Sequence, residues 1–238
     1  MKNIMKRIKT LMLLMVVALT AVTLQSCDDD DDDAYPAYDL ATVTLKAPNG
    51  DGEKWYMQLD DSTVIYPKNM PSHPYDNKEL RAFIRFNDLQ RNELSTSSRF
   101  QYEYTANILT VDSILTKKMD PMVENMAEEY GDDPVEVVDS WETVAEDGYM
   151  NIRFRTRWGN NVKHRVTLVH RTDSAEPYTV EFLHNANGDT NGQVADGMVA
   201  FRLNESFNKG DEPIVITLKW KSYSGEKTAK FNYIPRKN

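Results

Sequence analysis

The chain has 238 residues, with 28 lysines and arginines against 37 aspartates and glutamates, one cysteine and a formal net charge of −9. That length allows one large or two small domains, and 40% hydrophobic with 27% charged residues is a globular composition. One cysteine excludes an internal disulfide and a multi-cysteine metal site, and the acidic balance argues against nucleic acid as a partner, whose phosphates call for basic surface.

Lys2, Lys6, Arg7 and Lys9 precede the apolar run LMLLMVVALTAVTL over 11–24. This is the layout of a secretory signal, and the run is short of the roughly 20 residues that a membrane-spanning helix needs. Leu24-Gln25-Ser26-Cys27 resembles the lipobox of bacterial lipoproteins. Residues 1–26 are then a lipoprotein signal peptide, and Cys27 is the lipidated first residue of the mature chain. Lipidation also removes an otherwise unpaired exported thiol. Asp28–Asp33 follow directly. Six like charges repel and extend, so 27–34 is read as an acidic tether. Acidic runs in this position resemble a surface-export signal, with a plain solvated spacer as the alternative. The expected location is the outer membrane, exposed at the cell surface, with a periplasm-facing alternative.

Residues 35–118 read as a five-stranded OB-like barrel. Ala41, Val43 and Leu45 alternate, PNGDG (48–52) turns the chain, and Trp55, Met57 and Leu59 alternate again. Asp60-Asp61-Ser62 make the next turn before Val64-Ile65-Tyr66. After a proline-bearing loop, Leu80, Ala82, Ile84 and Phe86 alternate with Arg81 and Arg85, and a last strand carries Phe100, Tyr102, Tyr104, Ala106 and Ile108. Five strands in so short a span suit a small barrel, a fold that names no function by itself. The connector 119–134 holds six acids and no base. Met122, Val123, Met126 and Tyr130 lie at helical spacing, so a short helix in an acidic linker is expected.

Residues 135–238 carry seven strand candidates, at 135–142, 149–158, 162–171, 178–184, 198–204, 213–221 and 227–234, separated by turn signals such as EDG, GNN, NANGD and SYSGE. That is the pattern of an Ig-like β-sandwich. Met150, Ile152, Phe154 and Trp158 share a face, as do His164, Val166, Leu168 and His170, and Tyr178, Val180, Phe182 and His184. Hairpins around GNN and TDSAEP, pairing Phe154 with Val166 and Val166 with Phe182, keep these faces together.

That register makes His164 and His184 inward neighbours, and with Asp189 they form the weak metal candidate. Histidines bonded to the backbone or to Asn185 and Asn187 are the plainer expectation. It also gathers Arg153, Arg155, Arg157, Lys163, Arg165 and Arg171 on one outer face, with Arg155 opposite Arg165. This is a candidate ligand face for an acidic partner, an anionic glycan or the acidic connector, or else a solvated face that deters edge pairing. Asn185, Asn187, Gly188 and Asp189 suit a turn, because Asn and Gly accept positive φ; Ca²⁺ ligation is the sharper alternative. No GxSxG, HExxH, CxxC, Walker or GxGxxG pattern occurs.

Six segments in order, VDSILTK (111–117), DPVEVVDSW (133–141), GYMNIRF (148–154), KHRVTLV (163–169), EFLHNANGD (181–189) and VAFRLN (199–204), resemble the NigD-like lipoprotein family. The resemblance implies an N-terminal OB domain, a C-terminal β-sandwich and residence in the cell envelope. It supplies no catalytic residues. The expectation is thus an all-β envelope lipoprotein acting as a non-catalytic binding or accessory module. No catalytic residue, cofactor or nucleic acid is expected. The membrane is contacted through lipid on Cys27, and the partner is an envelope protein or a glycan. A structural component of an envelope complex is the alternative, and an enzyme ranks last.

Overall fold

The computed structural model describes residues 37–48, 54–93, 100–159 and 162–236. The signal peptide, Cys27 and the acidic run lie outside the described residues. The alternating segments of the first half become β1 (Asp39–Lys46), β2 (Tyr56–Gln58), β3 (Thr63–Pro67), β4 (Leu80–Arg91) and β5 (Tyr102–Ser113). They close into a barrel in the order β1-β2-β3-β5-β4, with β3 and β5 parallel. The inward positions of the period-2 pattern, among them Val43, Leu45, Met57, Ile65, Ile84 and Ile108, form its core. A register shift between Arg85 and Phe86 and another between Asn87 and Gln90 bend β4 along β5 as closure requires.

The sandwich begins earlier than the pattern placed it. After the single buried residue Ile114, β6 (Leu115–Lys118) leaves the barrel and pairs in parallel with β12 (Gln193–Arg202). The connector's helix, α1 (Met126–Tyr130), is capped by Asn125, whose side chain accepts from Glu128 N. Instead of standing in solvent it lays buried Tyr130 on Val169 and Leu183, with Val123 and Met126 alongside.

The sandwich strands are β7 (Glu136–Val137), β8 (Val144–Glu146), β9 (Tyr149–Trp158), β10 (Arg165–His170), β11 (Thr179–Asn185), β12, β13 (Ile214–Ser222) and β14 (Gly225–Tyr233). One sheet runs β10-β11-β13-β14; the other runs β6-β12-β9-β7, with β8 also on β9. The inward faces share one core of Met150, Ile152, Phe154, Leu168, Phe182 and Phe201, among others.

The expected β9–β10 hairpin does not form. β9 pairs with β12, β7 and β8, and β10 lies in the other sheet. Gly159 and Gly192 allow the β9–β12 pairing to close at this end: a Cβ on Gly192 would stand 2.3 Å from Trp158 O and 2.6 Å from Gly159 Cα, so two bare backbones meet where the chain leaves β9 and β12 enters. The β10–β11 hairpin does form, two residues from the expected register, with Val166 opposite His184 and Leu168 opposite Phe182.

Candidate functional site

The histidine corner assembles from strand ends. His164 Nδ1 lies 2.9 Å from His184 Nε2, and His164 Nε2 lies 3.4 Å from Asp189 Oδ2. Trp158 stacks on His164 at 4.1 Å, and Asp189 also accepts from Gly159 N at 2.9 Å. The three candidate ligands therefore meet, but their atoms bond to one another in a chain and do not converge on an ion. Among the described residues no group of three His, Cys, Asp or Glu is arranged to hold a metal. Burial and the neighbouring His164 push the His184 imidazole below its ordinary value, against Asp133. The HNANGD loop is a turn: Asn187 and Gly188 take φ of 51° and 82°, and Asn187 N donates to Asn185 Oδ1 at 2.8 Å.

The arginine face is divided. Because β9 and β10 belong to different sheets, Arg153, Arg155 and Arg157 stand on one outside of the sandwich, and Arg165 and Arg171 on the other. Arg155 does not face Arg165; its strand partners are Asp196 and Glu136. Asp196 binds Arg153 at 2.6 Å and Arg155 at 2.6 Å. Hydrogen bonds from Arg155, and then Arg153, hold its carboxyl down to about 2 against the pull of burial. Arg157 donates to Gly192 O, Arg165 lies 5.1 Å over the Tyr130 ring, and Arg171 pairs with Asp173 and Glu181. Lys163 is exposed, its carbonyl accepting from Asn187 Nδ2. A shallow groove of about 480 Å³ opens beside Arg171, lined by Ser174, Glu176, Thr217, Lys219 and Lys230.

The densest chemistry is at the seam of barrel and sandwich, where the pattern pointed to nothing. Asp147 and Gly148, the tip of the β8–β9 hairpin, both have positive φ (44° and 82°), as a two-residue Asp-Gly turn requires. The turn holds the Asp147 carboxylate 2.9 Å from Lys46 Nζ of β1. Glu79, just before β4, accepts from both ends of the Arg236 guanidinium at 2.7 Å and from Tyr149 OH at 2.7 Å, and pairs with Arg202 at 2.9 Å, which itself donates to Tyr149 OH. Burial alone would raise the Glu79 carboxyl, but Arg236, Lys46 and Tyr149 outweigh it and hold it well below the usual carboxylate range. Arg81, fully buried, bonds Thr44 and pairs with Glu146. Asp61 is different: it receives a 3.4 Å bond from Asp147 N, and burial raises its carboxyl to about 6. These groups sit on elements far apart in the chain, and only the EDG turn and the Asp60-Asp61-Ser62 turn were visible as signals.

At the edge of this seam, Trp141 stands in the loop between β7 and β8, 54% exposed, its ring 5.7 Å from Phe83 of β4 at 30°. Glu142, the next residue, pairs with Arg153.

A five-stranded closed barrel joined through one residue to a two-sheet sandwich defines an OB-plus-sandwich protein. Residues 42–114 match the NigD-like N-terminal OB domain and 118–233 the NigD-like C-terminal beta sandwich domain, so the chain belongs to the NigD-like family. Solved structures share the fold. A protein of Parabacteroides distasonis ATCC 8503, provisionally named toxin-related, is 27% identical with a TM-score of 0.65, over 84% of this chain and 94% of that one. A NigD-like immunity protein of Bacteroides caccae ATCC 43185 is 22% identical with a TM-score of 0.52, over 84% and 99%. A protein of Bacteroides fragilis NCTC 9343, provisionally named a lipoprotein, is 14% identical with a TM-score of 0.53, over 85% and 99%. No curated protein matches.

Proposed function

We propose that the chain is a lipid-anchored protein of the bacterial envelope, held at the outer membrane surface through Cys27, and that it binds a partner and does not catalyse a reaction. The anchor rests on Leu24-Gln25-Ser26-Cys27 and the six aspartates behind it, and the provisional lipoprotein name of the Bacteroides fragilis protein supports it. The observation that carries the binding half is the commitment of the ionisable groups. Glu79, Asp147, Lys46, Arg81, Arg236 and His184 spend themselves on one another, on neighbouring side chains or inside the fold, and the groups left facing solvent are suited to contact.

One experiment in living cells tests both halves. Alkynyl-palmitate labels the wild-type chain and not Cys27→Ser, and protease added to intact cells removes the folded part. Protection until the outer membrane is opened assigns the periplasmic face, and an unlabelled wild-type chain overturns the anchor. A photo-crosslinking residue at position 141 or 219 traps an adduct; no adduct from either position overturns the binding reading.

A further inference from the structure

The Trp141 shelf suits one kind of ligand. The loop carrying it is pinned at both ends: Val138 N donates to Arg153 O at 2.8 Å, Thr143 Oγ1 donates to Val138 O at 2.7 Å, and Arg153 N donates to Thr143 Oγ1 at 3.2 Å. Phe83 backs the indole, so the ring is held in place while over half of it meets solvent. A large aromatic held in water by its own loop forgoes burial that its size would reward.

The surroundings narrow the chemistry. Arg153 and Arg155 are matched by Asp196 and Glu142, so the charge beside the shelf cancels. A phosphate or sulfate approaching these arginines meets two carboxylates. The polar capacity facing solvent here is that of Arg153, whose side chain keeps 34% of its surface exposed and is fixed by Glu142 and Asp196. A second aromatic lies along the same strip. Arg85 shares the outer face of β4 with Phe83, about 7 Å away by strand geometry, and its guanidinium stands 5.7 Å from the ring of Tyr38, which is itself exposed.

We propose that the Trp141–Phe83 shelf binds the apolar ring face of a neutral hexopyranose, within an oligosaccharide that runs along β4 toward Tyr38. This deepens the binding reading above and rests on it. The flat C–H face of a pyranose lies on the indole, and its hydroxyls meet the part-exposed Arg153 that Glu142 and Asp196 hold in place, an aromatic platform with a fixed polar group that suits small-ligand sites. A protein partner would call for a wider apolar patch than one shelf.

The test titrates the full chain in detergent with neutral hexasaccharides of glucose, mannose, galactose and N-acetylglucosamine. Calorimetry gives affinity, and acrylamide quenching reports on the indole. Trp55 and Trp220 are buried and Trp158 is partly buried against His164, so the quenching lost in Trp141→Ala isolates the signal of Trp141. At least one hexasaccharide binds and shields the indole. Trp141→Ala weakens it about tenfold, equivalent to about 1.4 kcal/mol, at an unchanged melting temperature, and Trp141→Phe retains most of the affinity. Failure of every hexasaccharide to bind the wild type, or equal binding by Trp141→Ala, overturns the proposal. A protein adduct from position 141 without hexasaccharide binding also overturns it, while leaving the broader binding reading standing.

Discussion

Asp61 illustrates what a residue's neighbours decide. In the sequence it is one of three turn-formers, and the turn is indeed made, but by Asp60, whose carboxylate accepts from Ser62 N at 2.8 Å. Asp61 is turned toward the seam and its carboxyl is raised to about 6, chiefly by burial. Between its ordinary value near 4 and that raised value, the folded state holds the proton more tightly than the unfolded chain. Its contribution to stability therefore falls as pH rises through that window, and the ionised group is a liability at neutral pH. Asp61→Asn keeps an acceptor for Asp147 N and raises the melting temperature at pH 7.5, with the advantage closing by pH 4 in thermal unfolding scans. His184 slopes the other way. Its imidazole is depressed, so the stability it allows is complete above its ordinary value near 6.5 and falls as pH drops from there toward the lowered one. His184→Gln flattens that part of the profile, and comparing each variant with the wild type separates two slopes that oppose each other below pH 6.

Elements were legible where one period carried them. The barrel strands and five of the seven sandwich strands stand close to where alternation placed them. The strand expected over 135–142 forms only at Glu136–Val137 and gives way to the Trp141 loop, and the one expected at 198–204 begins at Gln193. Two short strands, β6 and β8, were missed because three or four residues hold no period. Pairing was less legible, for a physical reason. In a sandwich, the inward faces of two opposed sheets show the same alternation as the inward faces of two neighbours, so β9 and β10 satisfied a hairpin register while lying across the core from each other. The acidic connector hid its packing in the same way: its charge is real, yet Tyr130 donates to Pro121 O at 2.8 Å and covers the outer face of β10 and β11. Tyr130→Ala is expected to cost about 3 kcal/mol in urea unfolding, the range for truncating a buried aromatic. At Gly197 of β12, a Cβ would come within 2.5 Å of the Phe154 ring. Gly197→Ala displaces that ring from the core and costs about 1–3 kcal/mol, read in the same assay.

Over the whole molecule, barrel and sandwich are joined by charge as much as by apolar contact. The first domain supplies Lys46, Glu79, Arg81 and Asp61; the second supplies Glu146, Asp147, Tyr149, Arg202 and Arg236. None of these pairings follows a local period, so the seam was invisible in a sequence that nonetheless revealed both domains. Glu79→Gln removes the charge that Arg236, Arg202 and Lys46 share, leaving Arg202 without its carboxylate while Lys46 and Arg236 keep Asp147. It is expected to cost about 2–4 kcal/mol, somewhat below the figure for a fully buried pair because Glu79 keeps some exposure. Calorimetry then shows two transitions where the wild type shows one. The one-residue junction at Ile114 has a consequence for how the chain comes to be folded. All barrel pairing is complete by Ser113, whereas β6 waits for β12, whose strand begins at Gln193. A chain emerging from its N-terminus can close the barrel while most of the sandwich is unmade, in keeping with domain-by-domain folding. The finished barrel then holds β6 out as a fixed first rung, so the sandwich is assembled against a template and its slowest, longest-range pairing is made to an edge already in place.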